Sequence, residues 1–555
     1  MGVLTCIDYA VKVSSPRVAI EIGAVGTGFY PVVKGTHMPS VKTARRAVIA
    51  VLAASAGLAF TSIPAQAAPA DLPDGPALAR NLARKVTVSG INRHLIALQR
   101  FADQTDRTRA ASTEGHRRSA EYIATKLENL GFVVTRQEFP FVFTKTLAES
   151  LAVNGANVPI SIMTYSPSTP VGGITAPLAV VPVDDTPGCE VADFAGVAGK
   201  IALIKRGGCT FALKGQNAAA AGAVGALVYN NAPGPLNGTL SDPANGVIPI
   251  GGITAADGAA LAAQPGASVK LELRALNQPT TSYNVIAETQ TGNHQNVVMA
   301  GAHLDSVTQG PGINDNGSGS ATLLETALQL GATPRVNNAV RFAWWSAEEF
   351  GLVGSTFYVD SLDFEEQLNI ALYLNFDMIA SPNAARFVYD GDGSDGANDP
   401  GPFGSAQIEQ AFTDFLTATD VETETSPFNG RSDYGEFIAQ GIPAGGLFSG
   451  AEGVKTEAQA EKWGGVAGIS YDPCYHQACD NLGNLDRTVL DSNADAVAFV
   501  LGTYAISTED INGIPPGASL AKVGTAKAAA TKARFQTMVR TASADGADTP
   551  EGNAS

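Results

Sequence analysis

From residue 283 onward, apolar runs of strand length alternate with stretches of helical periodicity. The apolar runs are YNVIAETQ, NVVMAGAHLD, VRFAWWSAEE and IALYLNFDMIA. Apolar residues recur at helical spacing in SGSATLLETALQL, in GSAQIEQAFTDFLTAT and over 486–506. This alternation predicts an α/β fold, a doubly wound and mostly parallel sheet with helices on both faces. Sheets of that kind bind ligands beyond the carboxyl ends of their strands.

The stretch 156–275 interrupts this pattern. It is rich in Gly, Ala, Pro and Val, contains short apolar runs around one alanine-rich helix, KGQNAAAAGA, and has no histidine. We interpret it as an inserted β-rich module. Before it, residues 80–130 have helical periodicity and FVVTRQEFPF alternates like a strand. The main domain is therefore expected to comprise 80–155 and 276–508.

Both ends of the chain are expected to lie outside the folded domains. Residues 38–67 begin at Met38 with a basic segment, continue with an apolar run and end at a small-residue site, which is the pattern of a secretory signal peptide. The paired arginines leave twin-arginine export as an alternative. Because that signal is complete, we interpret 1–37 as an untranslated segment or a leader. Residues 511–555, rich in Ala, Gly, Lys and Thr, predict a disordered or removed tail.

The charge of the chain limits its partners. A formal net charge of −17 argues against nucleic acid and against anionic membrane surfaces. We find no run of eighteen apolar residues that would predict a transmembrane helix. A secreted, extracellular monomer without membrane attachment after signal cleavage is expected.

Export would place the four cysteines that follow the signal in an oxidising compartment. Local pairing then predicts the disulfides Cys189–Cys209 and Cys474–Cys479. A structural zinc site is the alternative, but neither pair has the C-x₂-C-like spacing of such sites.

Candidate catalytic residues lie where predicted strands end. GAHLDSV ends one strand with His303, and Asp305, two residues further on, faces the same side in extended backbone. An imidazole–carboxylate pair that only stabilises a loop is the alternative interpretation. His94 and His116 lie in helical patterns and are interpreted as ordinary surface or core residues. Four carboxylates occur in similar positions: Asp315, Glu348, Glu349 and Asp377.

Four carboxylates that converge without a counter-charge repel one another strongly. Divalent cations would supply that charge, and histidine together with carboxylate ligands suits zinc. Two metal ions need about five protein ligands if one ligand bridges them. The chain offers five such residues and leaves Glu348 free. These five are His303, Asp315, Glu349, Asp377 and His476.

Six motifs, in this order, resemble those of the secreted bacterial di-zinc aminopeptidases, a family that includes the leucyl aminopeptidases and the vacuolar aminopeptidase Y. The motifs are GAHLDSV, GINDNGSG, SAEEFGLVGS, NFDMI, GRSDYGEF and DPCYHQACD. The inserted module, with GKIALIKRGGCTFALKGQNAAAAGAVGALVYNN, resembles a protease-associated domain. The resemblance implies a zinc exopeptidase fold for the main domain.

The resemblance implies that two zinc ions are bound, one by His303 and Asp377 and one by Glu349 and His476, with Asp315 as the bridge. Glu348 would be the general base for a water between the ions. Further roles follow from the same resemblance. Asp305 would orient His303, Tyr475 would stabilise the oxyanion, the segment at Arg431 would accept the free α-amine, and Phe448 would line the pocket for the first side chain.

The expected substrates are peptide or protein N-termini, with an apolar, leucine-like first residue. Two alternatives remain: a carboxypeptidase of the glutamate carboxypeptidase type, which shares the insertion, and a catalytically dead, receptor-like scaffold. GRSDY and CYHQACD favour the aminopeptidase, and the complete ligand set argues against a dead scaffold. DGDGSDG approximates the start of a calcium loop but lacks the closing glutamate, so a solvated turn is preferred to a calcium site.

Overall fold

A computed structural model of the chain describes residues 75–232, 234–396 and 399–516. The predictions of a leader and a signal peptide, and that of a tail from residue 517 onward, concern segments outside these residues. Residues 511–516, which we predicted to belong to the tail, include the end of a short helix in which Ile511 is buried. Within the described ranges, no helix is both long and apolar enough to span a membrane.

Helices and strands follow one another along the described chain, with two short 3₁₀-helices among them. The α-helices are α1 (Gly75–Lys85), α2 (Val88–Asp103), α3 (Glu114–Leu130), α4 (Phe211–Ala220), α5 (Ala255–Ala262), α6 (Gly317–Leu330), α7 (Val353–Ser361), α8 (Phe364–Asn369), α9 (Ser405–Ala418), α10 (Gly435–Ala439), α11 (Glu457–Trp463), α12 (Arg487–Tyr504) and α13 (Glu509–Asn512). The strands are β1 (Val133–Val153), β2 (Ala156–Val158), β3 (Ser161–Ile162), β4 (Ile174–Val180), β5 (Ile201–Lys205), β6 (Gly225–Tyr229), β7 (Ile250–Ile253), β8 (Ser268–Glu288), β9 (Asn293–His303), β10 (Asn338–Trp345), β11 (Ile370–Phe376), β12 (Phe387–Tyr389), β13 (Glu424–Ser426) and β14 (Ala444–Phe448).

The centre of the main sheet is parallel and its margins are mixed. Strands β14, β11, β9 and β10 lie side by side in that order and run parallel. β8 joins β10 antiparallel, and β12 joins β14 antiparallel. The prediction of a mostly parallel sheet is therefore confirmed for the centre, where strands covered on both faces consist of continuous apolar residues.

Helices cover both faces of this sheet, as predicted. Because side chains alternate along a strand, Trp344 and Trp345 point to opposite faces, and both are fully buried. The face of Trp344 packs against helices that include α2, α6, α9 and α12. The face of Trp345 packs against Tyr358 of α7 and Phe437 of α10. The two faces give the domain two separate apolar layers.

Strands β1 and β8, with 21 residues each, pair antiparallel along almost their whole length, from Val133 opposite Glu288 to Val153 opposite Val269. We call this pair the ribbon. At one end β8 also pairs with β10 of the main sheet, and at the other end it pairs with β4 of the inserted module. The ribbon is therefore continuous with both sheets.

The inserted module has a parallel sheet of its own, formed by β4, β5, β6 and β7 in that order. Its predicted alanine-rich helix is α4. A second helix, α5, follows β7 and begins at the capping residue Thr254, whose hydroxyl accepts the N–H of Asp257. Our prediction of a single helix missed α5 because its eight residues are too few to show a helical period.

Both predicted disulfides are present in the structure. Cys189 and Cys209 close a loop of the inserted module, and Cys474 and Cys479 close a short loop of the main domain. Local pairing predicted both correctly because each pair lies close together in sequence.

Candidate metal centre

Three neighbouring strands deliver polar side chains to one edge of the main sheet. β9 ends at His303, the residues Glu348 and Glu349 follow shortly after β10, and Asp377 comes directly after β11. Because these strands are parallel neighbours, their carboxyl ends meet. Four of the predicted site residues are thereby brought to one place by topology alone.

Two histidines and three carboxylates form two groups that share Asp315. His303 Nε2 lies 3.1 Å from Asp377 Oδ1 and 3.3 Å from Asp315 Oδ1. His476 Nε2 lies 3.0 Å from Glu349 Oε2 and 3.2 Å from Asp315 Oδ2. Within each group the potential ligand atoms lie within 4.8 Å of one another. Each oxygen of Asp315 thus faces a different histidine.

This donor set fits two divalent cations. Imidazole nitrogens and carboxylate oxygens are ligands that zinc accepts, and a shared carboxylate is the usual bridge between two close metal ions. Glu349 Oε1 is buried and has no hydrogen-bond partner in the protein, so one ligand oxygen is left for another bond. The predicted ligands are therefore brought together, and their chemistry fits the predicted group.

Glu348 lies beside the two groups without belonging to either. Its Oε2 is 4.0 Å from His303 Nε2, and its side chain lines the same cavity as Asp315 and Asp377. Burial raises the pKa of Glu348 well above its ordinary value, and the carboxylate of Asp377 adds to that effect while His303 opposes it. Glu348 therefore lies next to both ligand groups while its side chain stays outside them.

Asp305 acts through two different atoms. Its backbone carbonyl lies 3.1 Å from His303 Nδ1, whereas its carboxylate is 3.8 Å from that nitrogen. The carboxylate instead accepts the backbone N–H groups of Glu348 at 3.2 Å and of Glu349 at 3.4 Å. We predicted that the side chain would orient His303, and the structure places the backbone carbonyl nearer to that ring nitrogen than the carboxylate.

The backbone is left-handed at three non-glycine residues that are candidate ligands or lie close to them in sequence. Ala347, Met378 and His476 have φ angles of 60°, 54° and 57°. Such conformations cost about 1 kcal/mol or more and persist where the surrounding structure fixes them. In the loops after β10 and β11 and in the 474–479 loop, the surrounding structure therefore fixes the backbone and with it the positions of the candidate ligands.

Tyr475 and His476 lie in the loop closed by the Cys474–Cys479 disulfide, with their rings stacked 3.8 Å apart. Arg431 donates one hydrogen bond to the Tyr475 hydroxyl at 3.4 Å and another to Glu452 at 2.6 Å. Burial raises the pKa of Tyr475 well above its ordinary value, although Arg431 opposes the shift. The phenol therefore stays protonated and can donate a hydrogen bond.

A cavity of about 70 Å³ opens beside these residues. Arg431, Phe448 and Tyr475 line it together with Met378 and Tyr389. The two predicted substrate-binding residues are therefore brought to the metal centre. Apolar and aromatic side chains on one side and carboxylates on the other make the cavity suitable for a small amphipathic group.

Three residues that support the centre were not predicted. Ser432 Oγ donates to Asp377 Oδ2 at 2.6 Å, and Asp480 accepts the backbone N–H of Asp315 at 2.9 Å. Both lie in motifs already noted, GRSDY and CYHQACD, and that proximity could have indicated them. The third residue is Arg109, which is fully buried. Its guanidinium donates to the carbonyls of Leu304, Pro311 and Gly312.

The acidic segment DGDGSDG forms a turn that satisfies its own carboxylates. Asp390, Asp392 and Glu409 come close enough to hold a cation. The carboxylate of Asp390 accepts the backbone N–H groups of Ser394 and Asp395, and Glu409 accepts that of Gly391. These bonds agree with the predicted turn.

Comparison with known proteins gives the family. Residues 284–501 match peptidase family M28, and residues 174–261 match the PA domain, the latter within the predicted insertion. The chain is 46% identical over 452 residues to a Mycobacterium tuberculosis protein named "probable lipoprotein aminopeptidase", covering 80% of this chain and 90% of the relative. It is 44% identical to leucine aminopeptidase 2 of Trichophyton tonsurans, covering 77% and 86%.

Solved structures agree with this result. The fold matches an aminopeptidase from Aneurinibacillus sp. strain AM-1 with a TM-score of 0.63 and 28% identity, covering 77% of this chain and 96% of the other. It also matches a zinc aminopeptidase from Bacillus subtilis with a TM-score of 0.57 and 29% identity, covering 76% and 96%. The chain therefore belongs to peptidase family M28, as an aminopeptidase that carries an inserted PA domain.

Proposed function

We propose that the chain is an exported aminopeptidase that uses two zinc ions to release an apolar, leucine-like residue from peptide N-termini. The observation that carries the proposal is the pair of ligand groups that share Asp315, with Glu348 outside both. A non-catalytic scaffold would have no need for this arrangement. The name of the Bacillus subtilis neighbour supports zinc as the metal.

His303 and Asp377 would hold one ion, Glu349 and His476 the other, and Asp315 both. Bound zinc supplies Lewis acidity, which lowers the pKa of water and polarises a carbonyl group. Ser432 fixes Asp377 by its hydrogen bond, and the carbonyl of Asp305 fixes the ring of His303. The chain thus provides five ligands and holds at least two of them by further bonds.

Glu348 carries the proton in the proposed reaction. It accepts a proton from the attacking water, and it returns that proton to the nitrogen that leaves when the peptide bond breaks. The hydroxyl of Tyr475 donates to the carbonyl oxygen as negative charge develops on it. Arg431 holds that hydroxyl by its hydrogen bond at 3.4 Å. All three side chains line the cavity beside the ligands.

The same cavity would select the first residue of the substrate. A free α-amine is attracted by the carboxylates of Glu348 and Asp377, which lie in its wall, so a blocked N-terminus would lose that attraction. Phe448 and Met378 would contact an apolar side chain. The name of the Trichophyton relatives, leucine aminopeptidase 2, supports a leucine-like preference.

Export of the chain is proposed on two grounds. Two disulfides form in the structure, and disulfides persist in oxidising compartments. The Mycobacterium tuberculosis relative is named as a lipoprotein. We further infer that the enzyme acts as a monomer outside the cytoplasm.

The test is hydrolysis of a panel of aminoacyl p-nitroanilides by the purified protein before chelation, after chelation and after zinc is restored. We expect leucine p-nitroanilide to be hydrolysed fastest, chelation to abolish activity and zinc to restore it. Elemental analysis should give two zinc ions per chain. Activity that survives complete metal removal would contradict the proposal.

Blocked peptides separate this function from that of a carboxypeptidase. An N-acetylated peptide should resist the enzyme, because acetylation removes the charge of the amine. A C-terminal amide should be hydrolysed as readily as the free acid. The reverse pattern would assign the chain to the carboxypeptidase type.

A further inference from the structure

A second cavity, of about 280 Å³, meets the first one at His476, which lines both. Three parts of the chain form its walls. The ribbon contributes Thr146 and Glu149, the inserted module contributes Ser161 and Asn237, and the main domain contributes Gln309 and Phe350 with the ligands Glu349 and His476. The PA domain and the ribbon therefore form part of the surroundings of the metal centre.

The walls of this second cavity contact the loop after β10, which carries Glu348, Glu349 and Phe350. The hydroxyl of Tyr165, in the inserted module, donates to the carbonyl of Phe350 at 3.2 Å. The Phe350 ring packs against Phe141 and Phe143 of β1, with ring centres 5.4 Å and 5.5 Å apart. Phe350 directly follows the candidate ligand Glu349. The cavity is therefore a fixed part of the site.

Polar groups dominate the lining of the second cavity. Hydroxyl and amide side chains line it, including Thr146, Ser161, Asn237 and Gln309. Such groups satisfy the N–H and C=O groups of an extended peptide. They do not select among apolar side chains, in contrast to the first cavity with Phe448.

Glu149 is the charged side chain of this lining that does not belong to the metal centre. It is exposed, and its carboxylate accepts the backbone N–H of Ile162 at 2.9 Å. In the part of the chain that the structure describes, no lysine or arginine forms an ion pair with it. A carboxylate held in the wall of a cleft favours a cation inside that cleft.

This inference rests on the proposed function, which places the first side chain of the substrate in the cavity with Phe448. The peptide after the cleaved bond must then leave the metal centre on another side, and the second cavity continues from His476. We propose that this second cavity binds the departing peptide, and that Glu149 favours lysine or arginine at the first or second position after the cleaved bond. The ribbon would thereby take part in substrate selection.

The test compares tripeptides that differ only in charge after an N-terminal leucine. Release of leucine from Leu-Lys-Ala, Leu-Ala-Lys, Leu-Glu-Ala and Leu-Ala-Glu is followed by mass spectrometry. Each kcat/KM is divided by that for leucine p-nitroanilide, which has no second amino acid. Dividing the normalised value for each lysine peptide by that for the matching glutamate peptide gives the preference ratio of lysine over glutamate at that position.

We expect the wild type to prefer lysine at one position at least. Glu149→Gln should lower that ratio about 3- to 5-fold, the upper range for a single exposed ion pair. Glu149→Lys should lower it about 10-fold or more, because attraction becomes repulsion. The matched control is Glu138→Gln, which removes an exposed carboxylate of the same strand outside the cavity and should keep the wild-type ratio.

Two results would overturn the subsite. One is a wild-type ratio in both Glu149 variants, and the other is an equal fall in the Glu138 control. A wild-type protein that releases leucine from none of these substrates would instead overturn the proposed function itself.

Discussion

The carboxylate of Asp305 accepts the backbone N–H of Glu348 at 3.2 Å. A residue just after β9 therefore holds the loop that follows the neighbouring strand β10. The same carboxylate accepts the N–H of Glu349 at 3.4 Å. Both glutamates are therefore positioned through their backbone, which leaves their side chains free for different tasks. Asp305 is fully buried, and burial raises its pKa to about 7, with His303 opposing the shift.

Asp305→Asn should lower kcat/KM about 10- to 100-fold, because the amide presents a donor to one of two N–H groups that need an acceptor. It should also speed the loss of zinc to a chelator. Steady-state kinetics and a timed chelation assay measure the two effects. Asp363→Asn is the matched control, since Asp363 likewise accepts a backbone N–H, at the start of α8. Wild-type activity in Asp305→Asn would show that Glu348 and Glu349 keep their positions without the hydrogen bonds to the Asp305 carboxylate.

Glu348→Gln should lower kcat about 10²- to 10⁴-fold while two zinc ions remain bound. The amide keeps the shape of the side chain but cannot accept the proton of the attacking water. Kinetics together with elemental analysis decide the outcome. Glu349→Gln is the comparison, and it should lose zinc as well as activity because Glu349 belongs to a ligand group. Parallel loss of metal and activity in Glu348→Gln would make that residue a ligand.

Acid should destabilise the fold through His116, which is buried on α3. Burial lowers the pKa of His116 to about 3, and the nearby Arg109 contributes. A histidine titrates near pH 6.5 when unfolded, so the unfolded chain binds more protons below that pH. The stability contributed by the neutral ring is complete above pH 6.5. It is lost progressively as the pH falls towards 3.

His116→Phe should remove this dependence. Between pH 6.5 and pH 5.0 the free energy of unfolding of the wild type should fall about 2 kcal/mol further than that of the variant. Urea unfolding at the two pH values measures it, and the difference between the proteins isolates His116 from other groups. If the free energy of unfolding changes equally with pH in the two proteins, the ring of His116 accepts its proton in the folded state.

Arg109→Lys should lower the free energy of unfolding by about 3 kcal/mol. The buried guanidinium donates to three carbonyls of the loop between His303 and Asp315, and a single ammonium cannot reach all of them. The loop should loosen, so zinc should dissociate faster. Urea unfolding and chelation kinetics are the measurements. Arg107→Lys, at an exposed arginine two residues away, should behave as the wild type does.

Much of this architecture could be predicted because its signals are local. The central strands are continuous apolar runs, and the helices repeat apolar residues at helical spacing. His303 and Asp377 stand out because polar side chains at the ends of apolar strands need a reason to be there. The Cys474–Cys479 pairing followed from its short separation.

The rest depends on contacts between distant segments. Strands β12 and β13 have three residues each, too few for a period to show. The role of Arg109 arises from carbonyl groups, which no sequence pattern displays, and the segment around it has no motif. The second cavity exists only because the ribbon brings residues near 149 and 237 to the loop at Phe350. None of these could be read from local periodicity.

The ribbon also sets the height of the module above the metal centre. Its two strands run from one sheet to the other with one register shift, between Thr146 and Ala148, so their common length determines this distance. Adding two residues to each strand would lift the module by about 7 Å and keep every side chain on its own face. Adding one residue to each strand would move the side chains beyond the insertion to the opposite face of the ribbon. Related enzymes can therefore change the depth of this cleft only by adding or removing two residues at a time in each strand of the ribbon.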